Sequence, residues 1–295
     1  MPATRSSVRE RIDAGGRSFS FEFFPPRTPE GIKHLWDAIR RLEPLDPTLV
    51  SVTYGAGGTT RDATVGITQQ IAHETTLTPM GHLTCVGSTV PELRSVIAAY
   101  ADAGVHHVLA LRGDPVGGPQ APWVPTPGGL QHADELVELI STLGTFSIGV
   151  AAFPDGHPGS DSFDFDAKVL RHKQERGADF AMTQFFFDVD SYRRLVDRAA
   201  AAGVTMPIIP GIMPVTNVAQ LQRFAQLSGT PLPAHMVERF ERIADDPGAV
   251  VELGVEIAST MCDELLNGGA PGLHFYTLNR SFSTLRVYRD LGLTA

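Results

Sequence analysis

Residues Ser18–Arg27 spell SFSFEFFPPR, an aromatic run stopped by Pro25 and Pro26. Aromatic residues suit the half-buried surface of a strand, and a proline pair ends its hydrogen-bond ladder. Alternation places Phe19, Phe21 and Phe23 on one face and Ser20, Glu22 and Phe24 on the other. A carboxylate buried without a partner is costly unless it is neutralised. Glu22 therefore has a structural partner or is kept for its chemistry.

Short apolar runs of the same kind recur along the chain. They are LVSVTYG from Leu49, MGHLTC from Met80, HHVLALRGD from His106, FSIGVAAF from Phe146, FAMTQFFF from Phe180, PIIPGIMP from Pro207 and LHFYTLN from Leu273. With the first run they make eight, most of them separated by a loop and a helix-like segment. Such alternation predicts parallel βα units. Eight units predict a closed (β/α)8 TIM barrel, a single α/β domain over 1–295, and a doubly wound sheet with extra helices is the alternative. Residues 1–17 read as a polar N-terminal segment. The Pro/Gly-rich run 114–129, DPVGGPQAPWVPTPGG, reads as a mobile loop over the barrel mouth rather than a linker.

The intervening segments carry helix signals. TPEGIKHLWDAIRRL offers Thr28 as N-cap, Pro29 at the first helical position, and Ile32, Leu35, Trp36 and Ile39 as an apolar stripe. TVPELRSVIAAYADAG from Thr89 repeats the design and stops at Gly104, and DSYRRLVDRAAAAG from Asp190 stops at Gly203. The longer gap from Thr216 to Gly272 has room for two or more helices.

Composition narrows the function classes. The chain has 295 residues, 42% hydrophobic and 19% charged, enough for one large core. A net charge of −9 argues against nucleic acid and anionic membranes as partners. Two cysteines, Cys85 and Cys262, make no disulfide framework and fit a reducing cytoplasm. No apolar run approaches membrane-spanning length, and the N-terminus lacks a signal-peptide core.

Chemistry in such a barrel collects at the C-terminal ends of the strands. Polar residues end nearly every run: Glu22; Thr53 and Tyr54; His82; Arg112, Gly113 and Asp114; Phe153 and His157; Gln184; Tyr276, Asn279 and Arg280. If Glu22 faces the lumen among aromatics, desolvation favours its neutral, proton-donating form. Gly55-Ala56-Gly57-Gly58 could cradle a phosphate, although it lacks the spacing of a dinucleotide fingerprint. A metal site is not expected: His82 and Cys85 fall on opposite strand faces, and neither Cys-x-x-Cys nor His-Glu-x-x-His occurs.

FEFFPPRT, VSVTYGAGG, HLTC, LALRGD, TQFFFD, IIPGIMPVTN and HFYTLNR occur in this order from Phe21 to Arg280. Together they closely resemble the short bacterial form of the methylenetetrahydrofolate reductases. The resemblance implies reduction of 5,10-methylenetetrahydrofolate to 5-methyltetrahydrofolate, a product feeding methionine synthesis. Hydride would come from NADH or NADPH through bound FAD. The small-molecule partners would be folate and nicotinamide nucleotide, and relatives of this kind often assemble as homo-oligomers.

By the same resemblance, Glu22 is the general acid and Asp114 the carboxylate near flavin and pterin. Gln184, Gln220, Phe224 and Arg280 match substrate contacts. Thr53, Tyr54, His82, Arg112, Gly113, Asp114, Phe153, His157, Asp166, Lys173 and Tyr276 match cofactor positions. Three departures bear on FAD: Phe153 stands where the best-known relatives have Tyr, and Val169 and His172 stand where they have Asn and Arg. These losses leave room for direct hydride transfer from nicotinamide to folate without tightly bound flavin. A non-catalytic folate- or flavin-binding barrel is a further alternative.

Overall fold

In a computed structural model, residues 7–54, 61–115, 117–118 and 121–293 are described. Eight strands form: β1 Ser18–Phe23, β2 Leu49–Val52, β3 Pro79–Thr84, β4 His107–Leu111, β5 Ser147–Ala152, β6 Phe180–Phe185, β7 Ile208–Ile212 and β8 Gly272–Tyr276. They close in sequence order into one parallel barrel, with β8 pairing back onto β1. The doubly wound alternative is thereby set aside.

Helices α1 (Val8–Asp13), α2 (Pro29–Leu42), α3 (Arg61–Glu74), α4 (Val90–Asp102), α5 (Ala133–Leu143), α6 (Phe163–Glu175) and α7 (Val189–Ala201) precede β7. The long gap before β8 holds α8 (Val218–Ser228), α9 (Ala234–Glu241) and α10 (Pro247–Asn267), and α11 (Phe282–Asp290) follows the barrel. Caps fix several starts. Thr28 Oγ1 accepts the Gly31 N–H at 3.1 Å, and Thr89 forms a capping box with Glu92. The α7 start differs from the expected Asp190: Asp188 is the N-cap, and its Oδ1 accepts the Asp190 N–H at 3.0 Å.

Strand alternation sorts the core into two layers. Phe21, Phe23, Val50, Val52 and Phe275 face outward and pack with Leu35 and Ile39 of α2 and Tyr288 of α11. Leu49, Met80, Leu109, Phe180, Met182 and Ile209 fill the lower lumen. Val8 of α1 joins that lower cluster and is fully buried, so part of the polar N-terminal segment forms a helical plug. The plug gave little sequence signal because a single buried valine sets no periodicity.

One irregularity shapes the barrel mouth. Between β6 and β7 the pairing runs Ala181↔Ile208 and Met182↔Ile209, then shifts to Phe185↔Gly211. Pro210 has no N–H to contribute there. Thr183 Oγ1 instead accepts the Gly211 N–H at 2.8 Å, and Tyr276 Oη donates to Thr183 O at 2.8 Å. The bulge lies beside Gln184, a common place for a strand to re-aim a side chain. A Cβ at Gly211 would run into Thr183 O and stand 2.7 Å from the Tyr276 ring. Gly211→Ala is expected to destabilise by about 1–3 kcal/mol through overpacking. An unchanged melting temperature in thermal unfolding would contradict this close packing.

Candidate active site

The C-terminal ends of the strands open into a cavity of about 690 Å³ that reaches from Glu22 in the lumen to Lys173 on α6. Glu22 stands in the upper lumen with its side chain 14% exposed. Its flanking phenylalanines are not its neighbours in space, because alternation turns Phe21 and Phe23 into the helix layer. The expected aromatic surround is thus replaced by two imidazoles. His274 Nε2 lies 3.3 Å from Glu22 Oε2, and His82 Nε2 lies 3.6 Å from the same oxygen.

The two imidazoles differ in kind. Burial pulls the His82 pKa down to about 4 against the opposing pull of Glu22, with His274 lowering it further. His82 is therefore neutral near pH 7, and its contact with Glu22 is not an ion pair despite the short distance. His274 is bonded at both nitrogens, its Nδ1 lying 2.8 Å from Ser20 Oγ. Glu22, His274 and Ser20 form one buried polar chain on the lumen face of β1 and β8.

Just beyond β4, Gly113 adopts φ +84, a conformation that favours glycine, and a Cβ there would clash with Val86. The sharp turn brings both neighbours to the cavity. Burial pushes the Asp114 carboxyl above its ordinary pKa, and the Arg112 guanidinium opposes that shift. Arg112 makes no ion pair among the described residues; its guanidinium lies 4.9 Å over the ring of Trp123, in the Pro/Gly-rich run.

The far end of the cavity is built by α6. Ser162 caps it, and Asp166 Oδ2 accepts the His157 N–H at 3.0 Å. Phe153 meets the His157 ring edge-on at 4.8 Å. Lys173 is buried with Nζ donating to Ala151 O at 3.0 Å, and burial pulls its pKa down to about 8. Val169 and His172 also line this end.

Fourteen nominated positions thus share one cavity: Glu22, Thr53, Tyr54, His82, Arg112, Gly113, Asp114, Phe153, His157, Asp166, Lys173, Gln184, Phe224 and Tyr276. Gln220 and Arg280 do not line it and are exposed. Gln184 Oε1 accepts the Phe185 N–H at 3.0 Å. The Gly55–Gly58 run lies outside the described residues. Sequence reasoning missed His274, Thr84, His132, Asp134, Phe165 and Leu278, all on the lining. His274 was within reach, since it stands two before Tyr276 on the same strand face. Thr84 was equally within reach, as the last residue of β3 and two after His82; the others sit in loops or on helices, where strand alternation does not point.

Two buried side-chain atoms of the lining, His82 Nε2 and Thr84 Oγ1, have no hydrogen-bond partner in the protein. Buried polar atoms are seldom left so. With the cations Arg112 and Lys173 and the carboxylates Glu22, Asp114, Asp134 and Asp166 they make a polar, elongated cavity of mixed charge. Among the described residues no three His, Cys, Asp or Glu side chains are grouped to hold a metal ion, and no helix is long and apolar enough to cross a membrane.

Comparison with known proteins gives the same direction. A solved structure, an uncharacterized protein from Clostridium thermocellum described as binding two copies of 5-methyl-5,6,7,8-tetrahydrofolic acid, superposes with a TM-score of 0.63. It covers 97% of each chain at 13% identity, which shows the fold alone. The 5,10-methylenetetrahydrofolate reductase of Pectobacterium carotovorum subsp. carotovorum is 41% identical over 95% of this chain and 91% of its own. That of Escherichia coli (strain K12) is 41% identical over 95% and 92%. The methylenetetrahydrofolate reductase family model matches residues 7–292. With the barrel, the cavity and these relatives in agreement, the chain belongs to the methylenetetrahydrofolate reductase family.

Proposed function

We propose that the protein reduces 5,10-methylenetetrahydrofolate to 5-methyltetrahydrofolate with hydride from NADH or NADPH and with FAD held in the cavity. The observation that carries this reading is Glu22, one carboxyl set between two imidazoles at the inner end of the cavity.

The residues present fit FAD. Arg112 and Lys173 supply cations for a pyrophosphate, and His157, Asp166 and Thr53 line the same stretch. His82 Nε2 and Thr84 Oγ1 offer polar atoms that a ligand edge would satisfy. Phe153, Tyr54, Gly113 and Tyr276 complete the walls. When bound, FAD supplies a two-electron carrier between nicotinamide and folate.

The protein's own part is binding, charge and proton delivery. Gln184 presents an amide to the pterin edge, and Phe224 packs on the ring that occupies its side of the cavity. Gln220 and Arg280, outside the cavity and exposed, suit the charged tail of folate where it meets water. Glu22 gives its proton to N10 as the bond from N10 to the methylene carbon breaks. That leaves a cationic iminium at N5, and hydride addition at its carbon produces the methyl group. The Asp114 carboxylate stabilises the positive charge while it lasts. His274, bonded at Nε2 to Glu22 and at Nδ1 to Ser20, orients the Glu22 carboxyl. Trp123 covers the Arg112 guanidinium at 4.9 Å.

The purified protein with added FAD is expected to oxidise NAD(P)H only when 5,10-methylenetetrahydrofolate is present. Mass spectrometry should then show 5-methyltetrahydrofolate in equal amount. Saturable folate binding with no product would make the protein a binding module and overturn the proposal.

A further inference from the structure

The end of β1 is held in an unusual way. Regular pairing of β1 with β8 stops at Glu22↔Tyr276, and Pro25 and Pro26 cannot extend it. Beyond that point the side chain of Asn279 takes over. Its Oδ1 accepts the Phe24 N–H at 3.0 Å, and its Nδ2 donates to Phe24 O at 2.8 Å. A primary amide placed so reproduces both bonds that a neighbouring strand would have made. Thr277 secures the other side of the acid, with its N and Oγ1 donating to Glu22 O at 3.2 and 2.6 Å.

The turn that makes this grip is strained. Leu278 and Asn279 adopt φ 51 and φ 57, both in the left-handed region. Asparagine tolerates that region, but leucine does so poorly. The Arg280 N–H closes the turn onto Thr277 O at 2.9 Å, and the Asn279 N–H bonds Thr277 Oγ1 at 3.2 Å. Strain of this sort persists only where surrounding bonds over-determine it, and it clusters at working sites. Two of the over-determining bonds close the turn on itself, and four reach the backbone of Glu22 and Phe24.

We propose that Asn279 is a positioning residue for the Glu22 acid, its amide locking the end of β1 so that the carboxyl keeps its place beside His274 during turnover. This inference rests on the proton-donating role given to Glu22 above. The side chain touches backbone rather than substrate, so its loss should cost rate more than affinity. No other side-chain type supplies a donor and an acceptor at this reach while accepting left-handed backbone as readily: aspartate lacks the donor, and glycine lacks both groups.

Asn279→Gly keeps the backbone freedom and removes the clamp. Its kcat for folate reduction is expected to fall about 10- to 100-fold, the order expected from a misplaced reacting group. The KM for folate should change less than roughly threefold, and the solvent deuterium isotope effect on kcat should rise as proton delivery becomes limiting. In a Glu22→Gln background the same change should cost less than about twofold, because the positioned group is already gone. Asn279→Asp keeps the acceptor for Phe24 N–H and should lie between wild type and Asn279→Gly; it carries the test alone if the glycine variant does not fold. Wild-type kcat with an unchanged isotope effect would overturn the inference, and so would a loss confined to KM, which would assign Asn279 to substrate binding. If Glu22→Gln alone keeps wild-type kcat, the acid role fails first and the positioning role falls with it.

Discussion

Glu22→Gln is expected to lower kcat for 5,10-methylenetetrahydrofolate reduction by about 10²- to 10⁴-fold, the range for loss of a positioned general acid. The amide has nearly the shape of the carboxyl and can still bond His274, which now lies 3.3 Å from Oε2. Its main-chain anchors to Thr277 are untouched. Folding and folate affinity should therefore survive while proton delivery is lost. Steady-state kinetics on a variant shown to be folded by circular dichroism would decide the matter. A kcat within about tenfold of wild type would remove Glu22 from the chemistry and leave it a buried structural carboxyl.

The second large effect concerns the α6 end of the cavity. Lys173 is buried, and its pKa is pulled down to about 8 by desolvation, against the pull of Asp134 and Asp166. In the free protein the ammonium therefore loses its proton as pH rises through that value, which is well below that of an exposed lysine. A bound pyrophosphate favours the protonated form, so affinity must fall as pH rises above the free-protein pKa. FAD affinity is expected to weaken roughly tenfold between about pH 7 and pH 9. Lys173→Met should weaken it about 10- to 100-fold near pH 7, the worth of a charged hydrogen bond, and should flatten the pH dependence. Quenching of FAD fluorescence across that pH range reads both effects without turnover. An unchanged affinity in Lys173→Met would place the anion elsewhere, with Arg112 the remaining cation of the lining.

Much of the fold was legible because strands and helices repeat with their own periods. The eight runs matched β1 to β8 within a residue or two at their starts, and Thr28 and Thr89 announced their helices by chemistry that caps require. Illegible features depended on one residue or on distant partners. Val8 plugs the lumen with no pattern around it. The α7 cap moved to Asp188 because several acidic residues compete at that loop and only tertiary packing selects among them.

The site divides the same way. Alternation set Glu22 on the face opposite Phe21 and Phe23, and the structure makes that face the lumen, yet alternation could not name His274, which comes from a strand some 250 residues later. The four phenylalanines around Glu22 in sequence looked like its environment, whereas three of them, Phe19, Phe21 and Phe23, face outward and serve the helix layer. Asn279 read as one more polar strand-end residue, and only its bonds to Phe24 reveal what it does locally. Val169 and His172 line the cavity where the resemblance to other reductases expects an amide and a permanent cation. They are the positions at which the proposed FAD site departs from the pattern that the resemblance implies.

The most direct test of the whole account is the visible absorption spectrum of the purified, FAD-loaded protein under anaerobic conditions. Flavin bands should bleach on addition of NADH or NADPH and return on addition of 5,10-methylenetetrahydrofolate, with 5-methyltetrahydrofolate formed in equal amount. Turnover by a colourless protein with no added FAD would contradict the account, and hydride would then pass directly from nicotinamide to folate.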